Sequence, residues 1–182
     1  MRHQKRTPVL GFKGITEKDL ENIMKFGKAS DTIGGYQSKS FIELPYGLVR
    51  KDVPDMQKKS LHLEYILAIL ECQFDEVDIS EVNSNEIMSF ILWIRKQQQK
   101  ITAIEERYLS SDPEPEMIAA GINKLDEFGA LSTIHGLAQG DILRHAAIEA
   151  MPYYKVYEVL KLEKTNRDIK NAHINIIKAK NK

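Results

Sequence analysis

"NSNEIMSFILWIRKQQQKITAIEERYL", Asn83 to Leu109, decides the fold. Phe90, Ile94, Gln97, Ile101, Ile104 and Tyr108 recur at steps of three and four, the spacing that lines up one face of an α-helix. Asn83 with Glu86 three residues later makes a capping-box-like start, in which a short polar side chain and a carboxylate satisfy amides that the first helical turn leaves without partners. The stretch predicts the longest helix of the chain, with its triple glutamine at mid-length.

Working outward, "SLHLEYILAILECQF" (Ser60 to Phe74) carries Leu63, Ile66, Leu67 and Leu70 on one stripe with further apolar residues around it. Such a helix is buried on most sides and forms the centre of a core. The single cysteine, Cys72, falls in it, cannot form an internal disulfide and reads as a buried thiol in a reducing compartment. "FDEVDISEVNS" connects the two helices, and its Asp75, Glu76, Asp78 and Glu81 lack the glycine and ligand spacing of a calcium loop.

Beyond Leu109, "SSDPEPEM" is a break, because prolines stop one helix and suit the first turn of the next. "EMIAAGINKLDEFG" then predicts a helix burying Ile118, Ile122, Leu125 and Phe128, with Gly121 allowing close approach and Gly129 closing it. Ser132 caps "TIHGLAQG", Asp141 caps "ILRHAAIEAM", and Pro152 occupies the first turn of "PYYKVYEVLKLEK". Thr165 and Asp168 form a further capping box before a last basic helix, which either offers its cations to phosphates or is a solvated face whose Ile169, Ile176 and Ile177 dock on the body. On the N-terminal side, "TEKDLENIMKFG" predicts a short helix from Thr16, and Gly34-Gly35 precedes β-favouring "SFIEL" and "GLVRKDV" flanking Pro45 and Tyr46, a small hairpin. The echo of "LPYGL" in "MPYYKV" is too short to count as a repeat.

The expected fold is mainly α, a multi-helix globular domain with a small N-terminal β-hairpin arm. Its parts are a basic arm with a short helix and hairpin at residues 1–59, a helical domain at 60–164, and a basic C-terminal helix or tail at 165–182. The 182 residues suit one domain with an arm. No apolar run approaches the roughly 20 residues of a membrane span, and the start lacks the apolar stretch of a secretory signal.

The formal net charge is zero, yet it is unevenly spread. Residues 1–61 hold 12 Lys+Arg and 7 Asp+Glu, residues 62–154 hold 6 and 16, and residues 155–182 hold 8 and 3, giving +5, −10 and +5. Opposite charges can meet within the chain, or the basic ends can meet nucleic acid or another copy's acidic middle.

No catalytic centre is legible. Phosphate-cradling glycine loops, paired CxxC spacings and nucleophile elbows are missing from the sequence. His145 and Glu149 share a helical face, but no third ligand is recognisable near them or near His135 and Asp141, so no metal or cofactor is expected. Residues 136–161 can be drawn as a helix-turn-helix, but the reading helix would open at Pro152 and offer chiefly tyrosines, where base reading wants Arg, Asn or Gln. Pro152, Tyr153, Tyr154 and Tyr157 are the candidate protein interface, since tyrosines are favoured there. Lys170, Lys178, Lys180 and Lys182 are candidate nucleic-acid contacts.

The run from Phe90 to Leu160, with "AAGINKLDEFG", "LAQGDI" and the apolar-Pro-Tyr-x-x-Val of Met151 to Val156, resembles the small helical structural and assembly proteins of tailed bacteriophages. The nearest types are tail or baseplate-hub assembly proteins and tail assembly chaperones. It covers about 70 of the 182 residues. The resemblance implies a non-enzymatic protein, in the virion or host cytoplasm, whose partners are other phage structural proteins or copies of itself. The alternative is a helical regulator that binds nucleic acid through its basic termini.

Overall fold

The structure, a computed structural model, describes residues 27–180 except Asp112 and Glu114. The helix expected from Thr16 lies outside the described residues. The described chain is mainly α with one two-stranded hairpin, as expected.

The hairpin sits one step earlier than its sequence site. β1 (Thr32–Ile33) pairs antiparallel with β2 (Tyr36–Gln37), Thr32 opposite Gln37 and Ile33 opposite Tyr36. Gly34 and Gly35 form the two-residue loop at φ +55° and +81°, and positive φ at both central positions is what such tight loops require. "SFIEL" and "GLVRKDV" are not strands. Phe41–Glu43 is a 3-10 turn, and after Pro45 the chain is helical through a π-helical stretch, Leu48–Asp52, into α1 (Val53–Lys58). Pro45 acts as a helix start, where its missing N–H costs nothing. Two strands alone are marginal, and these are held from outside. Ile33 is fully buried, the Tyr36 ring packs on Phe74 at 5.2 Å, and Glu86 Oε2 accepts from the Gly34 N–H at 3.0 Å.

α2 (His62–Glu71) is the core helix the stripe indicated, with Tyr65, Ile66, Ile69 and Leu70 fully buried. Cys72 is not buried. The helix ends one residue before it, which leaves the side chain exposed at the rim, its Sγ donating to the Ile69 carbonyl at 3.1 Å.

α3 (Ser84–Tyr108) runs for 25 residues behind the expected cap: the Asn83 side chain accepts from the Glu86 amide at 3.1 Å and its Nδ2 donates to Glu86 Oε1 at 2.6 Å. Its stripe is buried at Phe90, Ile94 and Ile101, while Ile104 and Tyr108 are exposed. The triple glutamine has a use, as Gln98 Oε1 accepts from Gln57 Nε2 of α1 at 2.8 Å.

The next expectation fails. α4 (Pro115–Ala119) lasts only 5 residues, because Gly121 at φ +88° turns the chain into a 3-10 stretch, Ile122–Phe128. Ile118, Leu125 and Phe128 are about half exposed instead of buried. Gly129 has positive φ, as expected at a helix close.

α5 (Ala130–Leu137) begins two residues before Ser132, whose hydroxyl donates back to the Gly129 carbonyl. Asp141 does cap, accepting from the Leu143 amide at 3.0 Å ahead of a 3-10 turn, Ile142–Arg144, and α6 (His145–Glu149). α7 (Tyr153–Lys180) is then one continuous helix of 28 residues. Thr165 and Asp168 are not a capping box: Thr165 Oγ1 donates to the Lys161 carbonyl and Asp168 pairs with Lys164 at 2.7 Å, both within the helix. Nor do Ile169, Ile176 and Ile177 dock; all three are exposed.

One buried cluster joins Ile33, Phe41, Leu44, Val49 and Val53 to α2 and α3, to Ile134 and Ala138, and to Tyr153 and Val156. Residue 60 therefore separates two helices packed on one core, and residue 165 lies inside α7.

Candidate functional site

The echo between residues 44–49 and 151–156 becomes a pair in space. Leu44-Pro45-Tyr46 and Met151-Pro152-Tyr153 lie antiparallel, with Pro45 and Pro152 bridged. The Tyr46 N–H donates to the Met151 carbonyl at 2.7 Å and the Tyr153 N–H to the Leu44 carbonyl at 2.9 Å. Each Pro-Tyr starts a helix, and each helix buries a valine three residues after the tyrosine, Val49 and Val156. Both tyrosine rings turn inward and stack, 6.1 Å apart and 13° from parallel, and Tyr157 extends the stack at 6.2 Å from Tyr153.

A polar network closes over this stack. The Tyr153 hydroxyl donates to Glu105 Oε1 at 2.9 Å, and Arg50 Nη2 meets Glu105 Oε2 at 3.1 Å, so one carboxylate of α3 ties the segment before α1 to α7. Lys51 Nζ meets Glu149 Oε1 at 2.8 Å beside it. Burial pushes the Tyr153 hydroxyl well above the usual tyrosine range, helped by the Glu105 charge, and burial also raises Tyr46. The hydrogen bond to Glu149 raises Lys51, and burial raises Asp52. A cleft of about 340 Å³ lies beside the network, lined by Tyr46, Arg50, Glu105, Ser110, Thr133 and Leu160 among others. Both oxygens of Glu105 are engaged and both inner tyrosines are protonated at neutral pH, so the network clamps three parts of the chain and presents neither a base nor a nucleophile.

The predicted interface residues part company. Tyr153 is 3% exposed and belongs to the core, Tyr157 and Pro152 are half-buried, and Tyr154 points outward at 37% exposure. Because Tyr153 and Val156 face the core, the first turn of α7 is not available to a DNA groove, and the helix-turn-helix drawing does not apply.

His145 and Glu149 do not act together: Glu149 holds Lys51, while His145 Nε2 lies 3.2 Å from His135 Nδ1. Among the described residues no three His, Cys, Asp or Glu side chains converge as metal ligands. The acidic connector does structural work, Asp78 Oδ1 accepting from the Ser80 amide.

Lys170, Lys178 and Lys180 project from the outer half of α7; Lys182 lies outside the described residues. From residue 161 to 180 every described side chain is exposed except that of Lys164. Leu162, Ile169 and Ile176, seven apart, make one row with Ile177 beside it. A second exposed apolar surface is the lobe of residues 115–131, with Met117, Ile118, Leu125, Phe128 and Leu131. Sequence reasoning missed the Arg50–Glu105–Tyr153 network, for which the Pro-Tyr echo was the available signal, and placed both exposed stripes in the core.

No protein-family model, characterised protein or solved structure matches this chain. No helix among the described residues is long and apolar enough to cross a membrane.

Proposed function

We propose that this chain is a non-enzymatic assembly protein that works through protein contacts, a structural or tail/baseplate assembly component of a tailed bacteriophage found in the virion or the host cytoplasm. The observation that carries the reading is the outer half of α7: about 30 Å of helix at 1.5 Å per residue, bearing a row of large aliphatic side chains that stay exposed. Large aliphatic side chains aligned on one exposed face are what a contact site offers. The phage setting rests on the resemblance of residues 90–160. The other reading, nucleic-acid binding through Lys170, Lys178 and Lys180, is less well served, because it gives no use to the exposed Leu162, Ile169, Ile176 and Ile177 beside those lysines, where phosphate contact needs only cations.

The test is recovery of the tagged chain from cells infected by the phage that encodes it, with its partners identified by mass spectrometry. Tail or baseplate proteins are expected, and recovery only with nucleic acid, lost on nuclease treatment, contradicts the reading. Tyr154→Ala should leave unfolding within about 0.5 kcal/mol of the parent, as surface changes do, while lowering partner recovery. Unchanged recovery removes Tyr154 from the interface.

A further inference from the structure

Resting on that reading, we propose that the outer half of α7 docks on the 115–131 lobe of a second copy of this chain, head to tail.

Three observations point there. First, residues 161–180 form a helix whose side chains, Lys164 apart, are exposed, whereas isolated helices of that length are marginal in water and most helical stability comes from packing an apolar face. Leu162, Ile169 and Ile176, at 61%, 62% and 55% exposure, form that face. Second, the charge on α7 is not met by an ion pair to another element among the described residues. Among the described residues the ion pair in α7 is Lys164 with Asp168, inside the helix, and Lys161 lies over the Tyr108 ring at 4.8 Å; no ion pair joins α7 to the acidic middle. Arg50–Glu105 and Lys51–Glu149 show that the basic N-terminal part does meet that middle. Third, the lobe is the complement of the helix tip. Residues 115–131 carry Glu116, Asp126 and Glu127 against Lys124 alone, around exposed Met117, Ile118, Leu125 and Phe128. The tip at 174–180 carries Lys178 and Lys180 with no acid, around Ile174, Ile176 and Ile177. A cleft of about 510 Å³ between the lobe and α7, lined by Met117, Ile122, Asp126, Arg167 and Asp168 among others, is open to receive it.

Two α7 helices facing each other would bring like charges together, which selects the acidic lobe over a symmetric pair. Donor and acceptor are then different patches of one chain, so the contact repeats and builds a ring or an open chain.

Light scattering on the full chain, at low and high salt, tests this. At low salt the mass should exceed the 20.9 kDa of one chain and grow with concentration, and at high salt it should fall toward that value. Ile169→Asp with Ile176→Asp removes the donor; Leu125→Asp with Phe128→Asp removes the acceptor. Each double variant alone should be monomeric, and their equimolar mixture should give a two-chain species through the one contact still intact. A parent that is monomeric at every salt concentration overturns the proposal, whatever the variants do. So does an acceptor variant that still self-associates, which would mean α7 pairs with α7. A monomeric parent that still recovers tail proteins from infected cells sinks self-docking alone, and failure of both experiments sinks the assembly reading as well.

Discussion

Phe90→Ala should destabilise the protein by about 3–5 kcal/mol, the range for emptying a buried phenylalanine site. Phe90 is fully buried on α3, its ring stacked 5.2 Å from Trp93, and Trp93 meets the edge of Phe41 at 5.8 Å. The site thus joins α3 to the segment ahead of Pro45. Neighbours fixed on two elements relax poorly into a void, and the lost cavity contacts add to the lost burial. Set against a total stability of roughly 5–15 kcal/mol for an ordinary domain, that loss is a large fraction of the whole. Urea unfolding followed by the fluorescence of Trp93, the one tryptophan in the chain, reads it directly. Leu162→Ala, on the exposed row of α7, is the control and should move the monomer by no more than about 0.5 kcal/mol. Equal effects at the two positions would contradict the assignment of core and surface.

Alkaline pH should unfold the protein steeply. Tyr46, Tyr65 and Tyr153 are each at most 3% exposed, and burial raises the pKa of all three. A raised folded-state pKa means that the protonated hydroxyl is preferred in the fold. The resulting stability is fully present below the unfolded value near 10 and is lost as pH climbs from there toward the folded values. Each such tyrosine costs about 1.4 kcal/mol per pH unit in that window, and three together about 4 kcal/mol per unit. Lys51, raised by Glu149, pulls the same way. Denaturant midpoints measured upward from pH 9 should therefore fall sharply above pH 10, with the tyrosinate absorbance of three of the seven tyrosines appearing only together with unfolding. Tyr153→Phe should remove about a third of the slope. Tyrosinate absorbance from all seven tyrosines in a still-folded protein would show that these three rings are not sealed in.

Where the chain's local chemistry and its packing agree, the fold was legible in the sequence. Asn83 with Glu86 starts α3, and Glu86 also holds the Gly34 amide of the hairpin. The stripe of α2 lies at the centre of the core. Gly34-Gly35 is the hairpin loop itself rather than the break ahead of it, and Pro45, expected between two strands, starts a helix. Both residues serve either purpose, and only the partners across the chain decide. Thr165 and Asp168 have the spacing of a cap, but the same side chains bond within a continuous helix, Thr165 to the Lys161 carbonyl and Asp168 to Lys164.

The exposed rows of α7 and of the 115–131 lobe are misread for a different reason. An apolar period reports that a face is covered; it does not say whether the cover is this chain or another. Ile169 and Ile94 look alike in sequence, and one is 62% exposed while the other is fully buried. The site shows the reverse problem. Arg50, Glu105 and Tyr153 are far apart along the chain, so no local spacing links them, and only the Pro-Tyr echo marks where they meet.

Hydrogen exchange on the full chain, in dilute solution and in concentrated low-salt solution, tests most directly whether the outer half of α7 is a contact element. In the dilute monomer, amides at 163–180 should exchange as those of a fraying helix do, while those around Phe90 to Ile101 exchange only when the whole protein unfolds. On concentration at low salt, residues 163–180 and 115–131 should gain protection together. Amides at 163–180 protected as well as α3 in the dilute monomer, or equally unprotected at both concentrations, would contradict it.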